Sequence, residues 1–377
     1  MLIKEVKAEK IPDSRGEQTL KVTIDGVAAS APNGKSTGKY ETKPYHTSLD
    51  FSIEEINHLN FNFEIKTFED LKKVENFICK KYKFRNARQF GANALFALES
   101  AILKVLAKSK NKQLWQIVNP AAKRFPVPIG NAVGGGLHSS RFKIHPIFQE
   151  FLVIPNEKTF HENVAVMKEV YEKIGAVLNA SEKNDEGAWQ VPLNNKEVLD
   201  ILSKLKNKVN IGLDIAASSF FRNDLYIYAS KMPNRESQII YMNNLVEDYD
   251  LYYIEDPLQE EDFTGFSQIK KKHLVVGDDL TATQIPRLKE AIKHNSINAM
   301  IIKPNQNGSL LELKKIFDLC KANNIKTIIS HRSGETMDAS IADYAFAFEA
   351  DFIKCGISTA WREAKLKRMI EIENSLR

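Results

Sequence analysis

Cysteine is scarce in this sequence. The 377 residues include three cysteines, Cys79, Cys320 and Cys355, and they lie far apart. An odd number of scattered cysteines argues against a disulfide framework, and the short cysteine and histidine spacings of a zinc site are absent. We therefore expect reduced thiols and a cytoplasmic location.

Long apolar runs and a strong excess of one charge are also missing. The first ten residues, MLIKEVKAEK, contain no apolar stretch of signal-peptide length, and no uninterrupted apolar run approaches the length of a membrane span. The 53 basic and 48 acidic side chains give a formal net charge of +5. Such a mild excess is weak support for a nucleic-acid or membrane partner, and we expect neither.

The segment 31–41, APNGKSTGKYE, contains the GKST of a phosphate-binding P-loop. A P-loop also needs a glycine five positions before Gly34, a strand leading in and a helix leading out. Ala29 occupies that position, and Asp25-Gly26 just before it is typical of a hairpin turn. A nucleotide site is therefore disfavoured, and the two glycines and two hydroxyls need another explanation.

Two patterns divide the chain. In the first hundred residues, LIKEVKAEKI and TLKVTIDG alternate like strands, whereas EDLKKVENFICKKY and ANALFALESAILKVLAKS have helical spacing. The proline-rich segment 119–128, NPAAKRFPVP, follows as a boundary. With 377 residues, two domains are expected. We predict a small α+β domain over residues 1–120 and a larger domain over residues 121–377.

The larger domain repeats a strand followed by a helix. Short apolar runs that end in a polar residue recur, mostly about 25 residues apart from Asp214 onward: FQEFLVIP, VNIGLD, LYYIED, HLVVGDD, AMIIKPNQ, KTIISH and DFIKCG. Buried strands alternating with helices form a parallel sheet, and their number here favours a closed barrel over a doubly wound sheet. In a barrel the strand carboxyl ends meet on one face, where active sites lie.

Three acids, Asp214, Glu255 and Asp278, end successive predicted strands. Carboxylates brought together repel one another unless a cation lies between them. Hard oxygen ligands suit Mg²⁺, which leaves positions open for water and substrate. Each acid alone is as well explained by helix capping or a lysine partner, but three in the same register favour a metal site.

Basic residues end three further strands. Lys303 and Lys354 follow apolar runs, and burial beside other positive charges would lower the pKa of a lysine and suit it to act as a general base. The alternative for either residue is a surface lysine with a buried stem. In SHRSGE, His331, Arg332 and Ser333 suggest an anion clamp, because the arginine fork matches phosphate oxygens. A core histidine is the alternative for His331.

Two more carboxylates stand near these segments. Glu150 lies in FQEF, and Glu186 lies in the glycine-containing NDEGAW, where a loop can fold over the cleft. An exposed loop acid without a role is the common alternative for Glu186.

Short motifs in a fixed order along almost the whole chain resemble those of enolase, the phosphopyruvate hydratase that dehydrates 2-phosphoglycerate to phosphoenolpyruvate. No single motif is specific, but their order and spacing together are. The motifs are DSRG from Asp13, GKSTG from Gly34, FGANA from Phe90, GGGLH to His138, QEF from Gln149, DEG from Asp185, GLDIAAS from Gly212, IEDPL from Ile254, GDDLTAT from Gly277, KPNQNGS from Lys303, SHRSGET from Ser330 and IKCG from Ile353.

The resemblance implies a small α+β domain before an eight-stranded TIM-like barrel of the order ββαα(βα)6. It implies two Mg²⁺ ions, the first held by Asp214, Glu255 and Asp278 and the second completed by Ser36 in a mobile lid. By the same resemblance, a homodimer or higher homo-oligomer is expected.

The resemblance also implies roles for the remaining site residues. Lys303 would remove the C2 proton of the substrate, Glu186 would assist departure of the C3 hydroxyl, and Lys354 would stabilise the enolate. The phosphate would bind Arg332 and Ser333. The other residues expected in the pocket are His138, Gln149, Glu150 and His331, the last two being counted among the catalytic groups.

Several segments depart from the family pattern. Lys35 stands where alanine is usual, Pro304 directly follows the proposed base, and DEGAWQVP with Trp189 replaces DEGGFAP. The LRDGD motif is missing, and the C-terminal segment follows its pattern loosely, retaining Arg362 and Lys365. We expect these changes to affect loops and the subunit interface more than the residues that contact substrate.

Two alternatives remain at this point. One is another enzyme of the wider superfamily that acts on a different acid through the same enolate chemistry. The other is a non-catalytic or attenuated paralogue that binds a partner or RNA. The retained acids, bases and metal ligands favour a catalyst.

Overall fold

The computed structural model of this chain describes residues 1–35, 38–136, 139 and 142–376. The N-terminal part is a three-stranded antiparallel sheet with helices packed on it, as its alternating and helical patterns predict. Asp25 and Gly26 both have positive φ and form the predicted tight turn between the strands Gln18–Ile24 and Val27–Ser30. Its elements are β1 Val6–Pro12, β2 Gln18–Ile24, β3 Val27–Ser30, α1 Leu49–Asn57, α2 Leu71–Tyr82, α3 Ala92–Ser109 and α4 Leu114–Val118.

The helix α3 is the central element of the N-terminal part. It covers the segment that the sequence pattern predicts, and nearly all of its residues are buried. A helix that is apolar on all sides has to lie inside the protein. One of its faces packs on the sheet, and Ala92 at its start lies against Gly308 in the barrel.

The C-terminal part is a closed barrel of eight strands. The second strand, β5, is antiparallel to both of its neighbours, and the remaining strand pairs are parallel. This is the predicted ββαα(βα)6 order. The elements are β4 Val127–Gly134, β5 Glu150–Ile154, α5 Phe160–Val177, α6 Asn195–Leu202, β6 Asn210–Asp214, β7 Phe221–Arg222, β8 Leu225–Tyr226, α7 Arg235–Asp248, β9 Tyr253–Glu255, α8 Phe263–Phe266, β10 Leu274–Gly277, α9 Ile285–Lys293, β11 Ala299–Ile302, α10 Pro304–Asn307, α11 Leu310–Ala322, β12 Lys326–Ser330, α12 Ser340–Ala347, β13 Phe352–Lys354 and α13 Ala360–Ser375.

The barrel strands bury both faces. Inward-facing side chains, among them Ile129, Ile154 and Ile301, fill the barrel with their own small core, and a larger core joins the outer strand faces to the helices. This explains why the strands appear in the sequence as continuous apolar runs. The boundary at residues 120 and 121 stays a prediction, as the structure does not test it.

The first barrel strand was not among the predicted runs. Its sequence, VPIGNAVG, contains a proline and two glycines, which weaken a strand pattern. A side chain at Gly130 would collide with Ile357 and Met167, so close packing requires a glycine there.

Among the described helices, none is long and apolar enough to cross a membrane.

One buried carboxyl group joins the two parts of the chain. Glu99 on α3 is fully buried, and its Oε2 accepts the backbone N–H of Leu310 at the start of α11, at 2.8 Å. Burial raises the pKa of Glu99 well above its ordinary value, and the nearby Glu75 raises it further. A group with a raised pKa in the folded state stabilises the fold at low pH, and this contribution is lost as the pH rises.

We predict that Glu99→Gln removes this pH dependence. Relative to the variant, the native chain loses free energy of unfolding as the pH rises from the ordinary glutamate pKa, about 4.3, through the raised pKa of folded Glu99. Urea denaturation of both proteins between acid and neutral pH measures the difference. The exposed Glu5→Gln serves as control, and a native-to-variant difference that is constant with pH would contradict the prediction.

Candidate active site

The ends of the barrel strands bring the predicted acids into one row. The register pairs Glu150 with Asp214 and Asp214 with Glu255, so the three residues occupy neighbouring positions on β5, β6 and β9. Because β5 runs antiparallel, its first residue, and not its last, lies at the carboxyl end of β6. All three acids are buried. The structure thus brings together residues that are more than a hundred positions apart.

Lys354, the last residue of β13, is the common partner of this row. Its Nζ lies 2.8 Å from Glu150 Oε2, 3.2 Å from Asp214 Oδ2 and 2.8 Å from Glu255 Oε2. Burial opposes its charge, but the carboxylates outweigh burial and raise the pKa of Lys354 well above its ordinary value. Lys354 is therefore an ammonium that compensates the acids.

Burial and mutual repulsion shift the pKa values of the acids in the row. Burial raises the pKa of Asp214 and raises that of Glu255 well above its ordinary value, and neighbouring carboxylates add to both shifts. Lys354 opposes these shifts. The phenol of Tyr253 donates a hydrogen bond to Glu255, which spreads its charge further.

Asp278 follows β10 and pairs with Lys303, which follows β11. The backbone N–H groups of Asp278 and Asp279 donate to the carboxylate of Asp256, at 3.0 and 2.7 Å. Carboxylate oxygens of Asp256, Asp278 and Asp279 lie within 4.8 Å of one another. Burial and the charge of Asp278 raise the pKa of Asp279 to about 7.

The pKa of Lys303 corrects a prediction. Burial opposes the charged form of Lys303, but the carboxylate of Asp278 outweighs it, so the pKa of Lys303 is raised and not lowered. The same correction holds for Lys354. The sequence locates both lysines among other positive charges, but it does not reveal that carboxylates are their nearest neighbours.

A divalent cation fits these residues. Asp278 Oδ1 is buried and has no hydrogen-bond partner among the described residues. The described lining of the cleft contains eight acidic and five basic side chains. Hard carboxylate oxygens with an excess of negative charge are the ligands that Mg²⁺ and similar ions prefer. Of the ligands proposed from the sequence, Asp214 and Asp278 line the cleft, and Glu255 is buried next to Asp214 at the end of β9.

Glu150, Glu186 and His331 form a second group, with one atom of each within 4.8 Å of the others. Burial raises the pKa of Glu150 to about 7. The charge of Lys354 opposes this shift, and Glu186 adds to it. Burial and surrounding cations lower the pKa of His331 well below its ordinary value, so this imidazole is neutral. Two close carboxyl groups in a dry setting can retain a proton near neutral pH.

The loop of Glu186 is anchored from behind. The side chain of Asn184 accepts the N–H groups of Glu186 and Ala188, at 3.0 and 2.9 Å. Trp189 stacks on Tyr171 with ring centroids 5.1 Å apart, and its indole N–H donates to the Tyr171 carbonyl. The tryptophan that departs from the family pattern therefore fixes the loop against α5.

The N-terminal part of the chain completes the cleft around the loop after β12. Asn33 and Gly334 pair their backbones, and the N–H of Lys35 donates to Ser333 Oγ at 2.8 Å. Asp13 lies so close that a side chain at Gly334 would overlap it. Lys35 also pairs with Asp185 at 3.6 Å, which connects two loops at the cleft entrance.

Two basic side chains of the helix α13 contact the same loop after β12. The guanidinium of the buried Arg362 donates to the carbonyl of Ser333 at 2.9 Å, and Lys365 pairs with Glu335 at 2.8 Å. These are the two residues that the C-terminal segment retains from the family pattern. Arg362 thus satisfies a backbone carbonyl of the predicted anion clamp, and Lys365 holds the carboxylate of Glu335, which accepts the N–H of Arg332 at 3.0 Å.

The remaining departures and predictions have clear locations. Pro304 lies in the first turn of α10, where its missing N–H is not needed, and the N–H of Lys303 bonds Thr283 Oγ1. Gln149 donates to Asp214 at 3.4 Å. Ser36 and His138 fall outside the described residues.

Sequence reasoning missed other polar residues of the cleft, notably Glu41, Asp256, Asp279 and Asn305. Asp256 and Asp279 could have been found, because each directly follows a predicted ligand in IED and GDD. Asn305 could also have been found, because it follows Lys303 by two residues in the KPNQNGS motif. Glu41 carries no such signal, and it enters the site through the packing of its N-terminal loop on the barrel.

Two family models cover the chain. The model described as "Enolase, N-terminal domain" matches residues 3–118, and "Enolase, C-terminal TIM barrel domain" matches residues 122–377. The chain belongs to the enolase family. Its enzyme class is accordingly that of a lyase, phosphopyruvate hydratase, which confirms the resemblance inferred from its motifs.

Curated relatives support the same family. Proteins named enolase from Picrophilus torridus and Archaeoglobus fulgidus are each 35% identical to this chain, with 99% of this chain and 99% and 97% of the relatives covered. The enolase of Methanosphaera stadtmanae is 34% identical over the whole of this chain. The matches therefore span nearly the whole length of these relatives.

The position of Lys354 among three carboxylates leads to a prediction about the stability of the fold. In a buffer containing a chelator, Lys354→Met should lower the free energy of unfolding by about 3 to 5 kcal/mol, because three buried carboxylates lose their shared cation. Urea denaturation measures the loss. In the control Lys326→Met, which removes an exposed partner of Asp351, the loss should stay below about 1 kcal/mol. Equal losses in the two variants would disprove the role of Lys354.

Proposed function

We propose that this chain catalyses the Mg²⁺-dependent dehydration of 2-phosphoglycerate to phosphoenolpyruvate, in glycolysis and gluconeogenesis. The observation that carries the proposal is the convergence of Glu150, Asp214, the two lysines and the Arg332 loop on one cleft of about 410 Å³, with Glu255 next to Asp214 in the acid row. Membership in the enolase family supports it. A divalent metal and a phosphorylated acid are what that family implies.

Asp214, Glu255 and Asp278 are the proposed ligands of one Mg²⁺, and Ser36 of a second. When bound, Mg²⁺ supplies positive charge that balances these carboxylates and the negative charge on the substrate carboxylate. The excess of acids in the cleft supports this, because an anionic substrate binds poorly to a site of the same sign without added cations.

Lys303 is the proposed general base for the C2 proton, a role in which it must first give up its own proton and its ion pair with Asp278, which holds it charged in this structure. It projects from the end of β11 into the cleft and is held by its backbone to Thr283. Lys354, at the end of β13, faces the site of the developing enolate and stabilises its charge. Positioned lysines on rigid strand ends suit proton transfer better than lysines on loops.

Glu186 is the proposed acid for departure of the C3 hydroxyl, with Glu150 and the neutral His331 beside it. The raised pKa of Glu150 supports a retained proton in this group near neutral pH. Arg332 and Ser333 are the proposed phosphate ligands, and His138 and Gln149 are further proposed substrate-binding residues. A homodimer or higher homo-oligomer, a cytoplasmic location and the absence of a nucleic-acid partner stay predictions.

The first test is turnover of 2-phosphoglycerate. We expect phosphoenolpyruvate formation with Mg²⁺ and none after chelation, and Lys303→Ala should lower kcat by about 10² to 10⁴-fold because the base is lost. Lys326→Ala, at the opposite end of the barrel, is the control and should retain kcat. A folded native chain without turnover would reject the proposal, and turnover of an unphosphorylated acid alone would favour another member of the superfamily.

A second test separates the two proton transfers. In deuterated water, Glu186→Gln should still exchange the C2 proton of 2-phosphoglycerate but should not release water, because Lys303 is intact and the acid is missing. Lys303→Ala should lose the exchange as well. Proton exchange followed by NMR distinguishes the variants. Loss of C2 exchange in Glu186→Gln would contradict the assignment of the acid.

A further inference from the structure

Arg332 is held by side chains from two different parts of the chain. Its Nη1 and Nη2 donate to Glu41 Oε2 and Oε1, at 2.9 and 3.1 Å, which is a two-pronged ion pair. Nη1 also donates to Asn305 Oδ1 at 3.2 Å. The side chains of Arg332 and Glu41 are 5% and 7% exposed. A fork of this kind fixes the plane of the guanidinium group.

Glu41 is itself fixed. Its Oε1 accepts the N–H of Gly38 at 2.8 Å, and its own N–H donates to the Gly38 carbonyl at 3.1 Å. The next residue, Thr42, donates its N–H to the Gln306 carbonyl at 2.9 Å. The carboxylate therefore has a defined position relative to the segment that follows Lys303.

Asn305 extends the same arrangement. Its Nδ2 donates to the Pro32 carbonyl and to Asn93 Oδ1, both at 2.9 Å. Arg332 thus contacts one residue of the N-terminal loop directly and is connected to that loop a second time through Asn305. None of these contacts takes part in the proton transfers proposed above.

An arginine side chain has about 2 kcal/mol of rotamer entropy to lose on ordering. When a buried partner has already fixed it, this entropy is not lost again on ligand binding, so affinity rises. Glu41 also balances the charge of Arg332 in a buried setting. A carboxylate that merely competed with the substrate phosphate would weaken binding, and its removal would increase affinity.

We propose that Glu41 is a positioning residue for Arg332 and determines selectivity for a phosphorylated over an unphosphorylated acid. This inference rests on the proposed phosphate-binding role of Arg332. Glu41 does not touch the reacting atoms. It sets the orientation in which the guanidinium group meets the phosphate.

The experiment is calorimetric titration of native protein and variants with 2-phosphoglycerate, inorganic phosphate and glycerate in the presence of Mg²⁺. Glu41→Gln keeps the side-chain length but cannot form the charged fork. We expect about tenfold weaker binding of the two phosphate-containing ligands and unchanged binding of glycerate. Glu41→Asp, which keeps the charge, should fall between native and Glu41→Gln. In turnover, KM should rise tenfold with kcat within twofold.

A double-mutant cycle tests whether Glu41 acts through Arg332. In the Arg332→Ala background, Glu41→Gln should have no further effect on phosphate binding. The matched control is Asp343→Asn, which breaks another forked pair, with Arg368 Nε and Nη2 at 2.8 and 2.7 Å. This control should leave the ratio of 2-phosphoglycerate to glycerate affinity unchanged.

Three results would overturn the inference: tighter phosphate binding in Glu41→Gln, equal weakening for glycerate, or an additive effect in the Arg332→Ala background. Absent turnover by the native chain would instead reject the proposed function. Titration with inorganic phosphate would still decide the role of Glu41, so the two failures are distinguishable.

Discussion

The ammonium group of Lys354 allows three carboxylates to lie side by side inside the barrel. Without a cation, Glu150, Asp214 and Glu255 would repel one another in a region with little water. The compensation is incomplete, because burial and mutual repulsion still raise the pKa values of Asp214 and Glu255. The buried acids therefore favour the binding of further positive charge, at the place where the metal and the substrate are proposed to bind.

The second constraint is that the barrel does not build the cleft alone. The loop after β12 receives contacts from the N-terminal segments around Asp13 and Asn33 and from Arg362 and Lys365 on α13. This loop has little regular structure of its own, so its backbone groups need such partners. The N-terminal part thus forms one side of the site, in addition to the barrel strands and α13. Its packing on the barrel through α3 positions side chains that the strands do not provide.

Much of the fold was predictable because parallel barrel strands are buried on both faces and end in polar residues. The positions of Asp214, Glu255 and Lys354 follow from that pattern and the register. Glu150 does not follow from it, because an antiparallel strand enters the site with its first residue. The strand β4 was hidden by proline and glycine. The pKa direction of Lys303 depends on its nearest neighbour, Asp278, which only the three-dimensional arrangement reveals.

The segment APNGKSTGKYE illustrates how these constraints combine. Its sequence disfavoured a nucleotide site but left the role of Lys35 open. In the structure, its described residues contact three parts of the site. Lys35 forms an ion pair with Asp185, beside the proposed acid, and Asn33 pairs its backbone with that of Gly334. Glu41 forms an ion pair with Arg332. One loop therefore contacts both Asp185, beside the proposed acid, and Arg332, the proposed phosphate ligand. Because the contacts of Lys35 and Glu41 are ion pairs, whereas that of Asn33 is a backbone pairing, a ligand that changes the charge near Asp185 or Arg332 acts on the two charged contacts of the loop.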